Sequence, residues 1–278
     1  MIVFVVPIRH PGMVKDTAHQ QACLRDLLAS FANQTSDAWK AVIVGNREQE
    51  LPPLPPQVTF QPVDFEPEVM DYDGVALQDM WRMIRLDKGR RIHAGFLHAV
   101  EGDQVMVVDD DDLIHRDLAG FVADNPSDRF WFVPRGYFWE DGTRRIGLMN
   151  RLHKHCGSSL VIPKSAFLAT DEPADSPSEA AISELGSHHL IFERFPENGS
   201  NWHPVPFRAT IYRVRHSNAS MTAASDERRR ALFTSKAFRK VVGVLKGLRR
   251  GFSGDARVGI APFPMPARVR RAFFGARA

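Results

Sequence analysis

Cysteine is almost absent. Cys23 and Cys156 are the only two in 278 residues, too few for a disulfide framework, which excludes the small stapled folds of secreted domains. No run of 18 or more apolar residues occurs, so no spanning helix is expected. The N-terminal stretch MIVFVVPIRHPG has no basic lead, long apolar segment or small-residue cleavage site, so no signal peptide is expected. These absences together lead us to expect a cytoplasmic location. Acidic residues are scarce at the C-terminal end: from residue 226 onward there are 14 Lys/Arg against 3 Asp/Glu, leaving 22 against 30 in the rest. A mildly acidic body therefore carries a very basic tail, and the pI of about 9.0 describes the tail more than the body. An acidic body also argues against a nucleic-acid partner.

The 44% hydrophobic content is enough to bury the core of one α/β domain with an appendage, or of two small domains. Residues 2–6 form a continuous apolar, β-branched run, the pattern of a strand buried on both faces. Over residues 16–32, Leu24, Leu27, Leu28 and Phe31 fall at i, i+3, i+4 and i+7, which predicts an amphipathic helix. A second apolar strand covers 41–44, and strand–helix–strand in this order implies a right-handed parallel crossover. A stiff LPPLPP loop (51–56) leads to a strand over 58–63, and residues 70–84 read as a loop followed by a short helix. A helix is expected over 87–100, capped by Gly102, with a third buried strand over 105–108. Residues 130–133 and a hairpin at Asp141 and Gly142 add antiparallel edge structure. A further strand covers 160–162 and a single helix 178–195.

Directly after the third strand stand four aspartates: Asp109, Asp110, Asp111 and Asp112. Adjacent carboxylates repel one another unless solvated or neutralised. In open α/β sheets ligands bind beyond the carboxyl ends of the strands, which is where the 105–108 strand delivers this run. Hard oxygen ligands at that edge suit Mg²⁺ or Mn²⁺ and leave coordination positions open for phosphate oxygens.

The segments SFANQT (30–35), WKAVIVGN (39–46) and GDQVMVVDDDD (102–112) together resemble the first helix, second strand and D-x-D-D approach of family 2-type GT-A glycosyltransferases. DKGRR (87–91) and LGSH (185–188) look like elements of a bacterial subgroup. One departure is at residues 92–95, where this chain has Ile-His-Ala-Gly and many members have Ala-Arg-Asn before the glycine. The resemblance spans roughly residues 1–220. It implies a GT-A-like, mostly parallel nucleotide-binding sheet flanked by helices, with a small antiparallel acceptor-side region and a basic helical tail. The expected division is a glycosyltransferase domain over 1–222, split into a nucleotide-sugar half (1–118) and an acceptor half (119–222), followed by a tail over 223–278.

In the register of that motif, Asp109, Asp111 and Asp112 are the motif carboxylates and Asp110 the variable position. Asp111 is the expected metal ligand, with Asp109 helping or binding the ribose and Asp112 ligating or orienting the sugar. His216 fits a late metal-binding histidine in the same family. Pro7, Arg9 and Asn46 stand at the ends of the first two strands, where the family holds nucleobase and ribose. Lys88 and Arg91, at the expected start of the 87–100 helix, face the same edge, and Arg91 is a candidate partner for the pyrophosphate. Glu184 and His188 lie four residues apart on one expected helix, so either can be a general base, or His188 can complete the metal shell.

The implied activity is metal-dependent, with Mn²⁺ or Mg²⁺. It transfers a hexose-type sugar from a UDP- or GDP-linked donor to a glycan or lipid-linked acceptor. The alternatives are a nucleotidyltransferase, which would usually carry a Gly-rich loop after the first strand, and a non-catalytic glycan-binding protein of the same fold. Residues 226–250 mix apolar and basic positions, a pattern expected of peripheral contact with the inner membrane face.

Overall fold

The computed structural model describes residues 1–168, 171–195, 202–214, 218 and 263–275. The fold is α/β, with a seven-stranded sheet in the order β10-β6-β9-β4-β1-β2-β3. The strands are β1 (Ile2–Pro7), β2 (Trp39–Asn46), β3 (Val58–Val63), β4 (Gln104–Val107), β6 (Phe130–Phe132), β9 (Leu160–Pro163) and β10 (Trp202–Pro204). Neighbours β3, β2, β1 and β4 are mutually parallel, and β6 and β10 pair in parallel. Only β9 runs antiparallel, between β4 and β6.

β1 is buried at every position because both sheet faces are covered, and alternate residues serve opposite faces. Ile2, Phe4 and Val6 join one core cluster, Val3 and Val5 the other. Helix α1 (Thr17–Ala32) packs on the first face, with Phe31 stacked on Phe4 at 4.6 Å between ring centres. Asp16 caps it by accepting from the His19 backbone N–H at 2.9 Å. Helix α2 (Leu77–Phe96) covers the other face, and Gly95 lets it lie close: a Cβ there would stand 2.5 Å from Val5 Cγ1.

A second, five-stranded sheet has the order β12-β8-β7-β11-β5, comprising β5 (Leu113–Ile114), β7 (Arg135–Glu140), β8 (Arg145–Asn150), β11 (Thr210–Val214) and β12 (Phe263–Pro264). The β7–β8 hairpin turns at Asp141 and Gly142, where Gly142 adopts φ 73°. β11 pairs in parallel with β7 and antiparallel with β5, so this second sheet is larger and less purely antiparallel than the small antiparallel region that the sequence suggests. Residues 130–133, expected as antiparallel edge structure, contribute β6 to the main sheet, antiparallel to β9 but one strand in from the edge, inside β10. The remaining helices are α3 (Leu118–Ala123), α4 (Glu179–Leu185), α5 (His188–Arg194) and α6 (Ala267–Phe274).

Three further sequence expectations are corrected. The 87–100 helix and the short helix before it are one 20-residue helix, α2. The 178–195 helix is two, because Gly186 ends α4 and Ser187 caps α5 by accepting from Leu190 N–H. Residues 263–275, assigned to a tail without strand patterning, form β12 and α6. Val269 and Phe273, one turn apart on α6, bury against Leu113, Ile146 and Ile211 of the second sheet. The amphipathic stretch at 226–250 lies outside the described residues. No helix among the described residues is long and apolar enough to cross a membrane.

Helices α2 and α4 meet at two glycines, Gly89 of the DKGRR segment and Gly186 of the LGSH segment. A Cβ at Gly89 would lie 1.8 Å from the Ile182 carbonyl oxygen, and one at Gly186 would lie 1.9 Å from the Arg85 carbonyl oxygen. Each glycine is the gap into which the other helix's backbone fits.

Candidate active site

Chain order places the candidate site. After β1 the chain crosses to β2 on one side; after β3 it returns, through α2, to β4 on the other. The connections leave β1 and β4 in opposite directions, which opens a crevice beyond their carboxyl ends. Pro7 ends β1 and Arg9 follows it at this edge. The four aspartates follow β4, whose last backbone bond to β1 runs from Val108 N–H to the Val5 carbonyl at 2.9 Å.

The acidic run is a turn, closed by Asp112 N–H donating to the Asp109 carbonyl at 3.1 Å. A turn of four residues places its two central members outermost, so the four carboxylates have different surroundings. Asp112 is fully buried. Its Oδ2 accepts from Ser158 Oγ at 2.6 Å and from Cys156 Sγ at 3.1 Å, and its Oδ1 from Arg213 backbone N–H at 3.2 Å. Burial, then repulsion from Asp111 and Asp109, pushes its pKa well above the usual carboxylate range. Ser158 also accepts from Asp109 N–H at 2.9 Å. This carboxylate ties the turn to β11 and to the 156–159 loop.

Asp110 accepts from Gln20 Nε2 at 3.1 Å, and Gln20 in turn accepts from Gln49 Nε2 at 3.2 Å. Burial and the neighbouring Asp111 raise Asp110 to about 6, although Arg9 and the Gln20 bond oppose the shift. Asp109 pairs with Lys88 Nζ, both side chains about a quarter exposed. Burial pulls the Lys88 ammonium down, but Asp109, with Asp111 and Asp112 behind it, outweighs that and leaves it raised and charged. Gly157 makes room for the pair, since a Cβ there would come within 2.8 Å of Asp109 Oδ2.

Arg91 sits late in α2 rather than at a helix start, and it is 1% exposed. Its Nε and Nη2 hold Asp87 at 2.9 Å and its Nη1 holds Asn46 Oδ1 at 2.8 Å. Asn46 spends its amide on the Phe65 carbonyl at 3.1 Å. Arg91 and Asn46 thus brace the edge from inside.

Glu184 and His188 do not share a helical face, because the chain breaks between them. Glu184 Oε1 lies 2.6 Å from Arg194 Nη1. His188, with Lys88, Gly157 and Gly186, lines a small cavity of about 20 Å³ beside the acidic turn, room for about one water. Its Nε2 is buried with no hydrogen-bond partner. Burial, and then the nearby His189 and Lys88, lower its pKa from 6.5 to about 3. The His188 proton is bound in the unfolded chain below pH 6.5 and excluded from the fold down to about pH 3. Stability is thus complete above pH 6.5 and declines as pH falls through that window. His188→Asn should flatten this acid limb by a few kcal/mol at most, seen as a smaller loss of urea midpoint between pH 7 and pH 4. An unchanged limb would refute the assignment.

Sequence reasoning missed Gln20 and Arg213. Arg213 is 3% exposed; its guanidinium bonds Asp26 at 2.6 Å, Cys23 at 3.1 Å and Asp141 at 3.3 Å and lies 4.3 Å over the Trp139 ring. It joins α1, the hairpin and β11. Its only sequence signal is an arginine within an otherwise apolar strand. His216 lies outside the described residues.

No protein-family model and no curated protein sequence matches the chain. Among solved structures it is similar to S. aureus TarS. The TM-score is 0.45 and the identity 12%, over 77% of this chain and 36% of that one. The chain thus spans little more than a third of TarS's length, and what it binds has to be read from its own residues.

Those residues bear on a divalent cation as follows. No group of three or more His, Cys, Asp or Glu side chains stands ready to hold a metal among the described residues. Mg²⁺ and Mn²⁺ sites that take part in phosphate chemistry ordinarily use one or two carboxylates, with waters and substrate phosphates supplying the rest. Asp109 and Asp111, two carboxylates on one turn, are the pair that fits that requirement.

Proposed function

We propose that the chain is a metal-dependent glycosyltransferase that takes a sugar from a UDP- or GDP-linked donor to a glycan or lipid-linked acceptor. The observation that carries this reading is the acidic turn at the topological switch point, with Lys88 held against Asp109. Cleaving a nucleotide-sugar leaves negative charge on the departing diphosphate. Asp111 and Asp109 would hold Mn²⁺ or Mg²⁺, which when bound supplies Lewis-acid stabilisation of that charge.

The chain's own residues would do the rest. Lys88 supplies a fixed positive charge beside the turn. Arg9, beyond β1, and the carboxyl edge at Pro7 offer the surface for nucleobase and ribose, while Asn46 and Arg91 hold that surface rigid from behind. Gln20 orients Asp110. A proton acceptor works best with a pKa near the working pH. His188, held at about 3, suits a hydrogen-bonding role toward the acceptor side better than proton removal. Glu184 can act as base only by leaving Arg194. His216 as a further ligand, and the inner membrane face as the working location, belong to the same proposal.

A thermal-shift series tests the donor class. UDP or GDP should raise the melting temperature only when Mn²⁺ or Mg²⁺ is present. Donor hydrolysis should follow the same metal dependence. Nucleotide binding without turnover of any sugar donor would instead favour the non-catalytic alternative, and stabilisation by nucleoside triphosphates alone would favour nucleotidyl transfer.

A further inference from the structure

A second concave surface lies away from the acidic edge. It is a cleft of about 540 Å³ between α6, the residues that follow β5 and the segment that precedes β11. Arg116, Arg208, Arg268 and Arg271 line it, against the single carboxylate of Asp117. These arginines come from three separate stretches of chain, so their convergence is a product of the fold. Arg116 is already shared with Asp117 at 3.6 Å, and Asp117 also accepts from Thr35 Oγ1 at 3.0 Å. His115 adds no charge near neutrality, since burial lowers its pKa. Arg208 lies 5.6 Å over the Tyr137 ring, and its Nε is buried without a hydrogen-bond partner.

The wall that carries two of the arginines is held in place. Asn33 Nδ2 donates to the Arg271 and Ala272 carbonyls at 3.0 and 3.3 Å, and Arg116 N–H donates to the Ala272 carbonyl at 2.9 Å. Val269 and Phe273 anchor the buried side of α6, so Arg268 and Arg271 remain exposed on a fixed backbone. Like charges gathered in a concavity repel unless an anion joins them. Guanidinium groups match the oxygen geometry of phosphate, through paired N–H donors that a lysine does not have.

We propose that this cleft is a second binding site, which takes a phosphate-bearing ligand. It does not depend on the acidic edge being catalytic. A lipid headgroup and a soluble phosphate ester would present the same chemistry, and the test separates them. Tripolyphosphate is titrated calorimetrically into the full chain in the presence of EDTA. Arg268→Glu combined with Arg271→Glu should weaken binding at least tenfold, and Arg116→Gln, on the opposite wall, should weaken it by a smaller factor. Lys88→Gln, at the acidic edge, should leave it within twofold. The exposed positions of the arginines make the variants compatible with folding, which the melting temperature verifies.

Flotation with phosphatidylcholine vesicles, with and without phosphatidylglycerol, then names the source. Flotation on the anionic vesicles that the double reversal abolishes assigns a lipid headgroup. Tripolyphosphate binding without flotation assigns a soluble phosphate ester. Tripolyphosphate binding that is absent, unaffected by the double reversal, or lost in Lys88→Gln overturns the proposal.

Discussion

Asp111→Asn should lower sugar transfer by about 10³-fold, the scale on which a metal's charge stabilisation counts in a transition state, while leaving the fold intact. The substitution keeps the size of the side chain and removes its charge. The turn is closed by the backbone bond from Asp112 to Asp109 and anchored by the Asp112 carboxylate, and neither support uses the Asp111 charge. Melting temperature without ligand should therefore stay near wild type, while the metal-dependent stabilisation by UDP or GDP disappears. Asp112→Asn should behave in the opposite way. An amide oxygen cannot replace both carboxylate oxygens toward Ser158, Cys156 and the Arg213 N–H, and a buried unsatisfied donor costs about 1–3 kcal/mol. That variant should lose stability first and activity as a consequence. If Asp111→Asn keeps both nucleotide binding and turnover, the metal reading of this edge is wrong.

The largest stability effect should come from Gly89→Ala. On propensity alone, alanine inside α2 would gain about 1 kcal/mol over glycine. Space decides otherwise: the new Cβ would meet the Ile182 carbonyl at 1.8 Å, and what it meets is backbone, which cannot rotate aside. Overpacking costs about 1–3 kcal/mol, occasionally more, and a backbone-on-Cβ clash belongs at the upper end. A net loss of about 2–3 kcal/mol is therefore expected, read from the urea midpoint at constant slope. Gly186→Ala should cost a similar amount, through the Arg85 carbonyl. The double variant should cost less than the sum, because separating the helices once relieves both contacts. Lys88 precedes Gly89 and His188 follows Gly186 by two residues, so the same variants should also disturb the Lys88–Asp109 pair. Either alanine leaving the midpoint unchanged would mean that the helices do not cross at these glycines.

The crossing also explains where the sequence misled. The sequence reading separated a short helix before residue 84 from a helix over 87–100, yet α2 runs unbroken from Leu77 to Phe96, through Gly89. The second helix made glycine necessary there, and nothing within one helix's own sequence carries that information. The Gly186-Ser187 break has a local signal, a glycine stop followed by a serine cap, which the apolar pattern across 178–195 obscured. Residues 263–275 place Val269 and Phe273 one turn apart among a few other apolar residues, too short a stripe to read as a docked helix before the second sheet was known.

What the sequence determined by itself was local and periodic. The buried runs at β1, β2 and β4, the helical stripe of α1 and the order of these elements dictate a parallel sheet, and that sheet carries four aspartates to its carboxyl edge. Periodicity and chain order are properties of neighbouring residues, so they are legible without a fold. Only the tertiary structure decided which aspartates face outward. Asp112 turned inward because Ser158, 46 residues away, and Arg213, 101 residues away, bring it their hydrogen bonds. Asp109 stayed at the surface because Gly157 and Lys88 make a place for it. A carboxylate's direction depends on donors that arrive from other parts of the chain, and their arrival is a matter of packing.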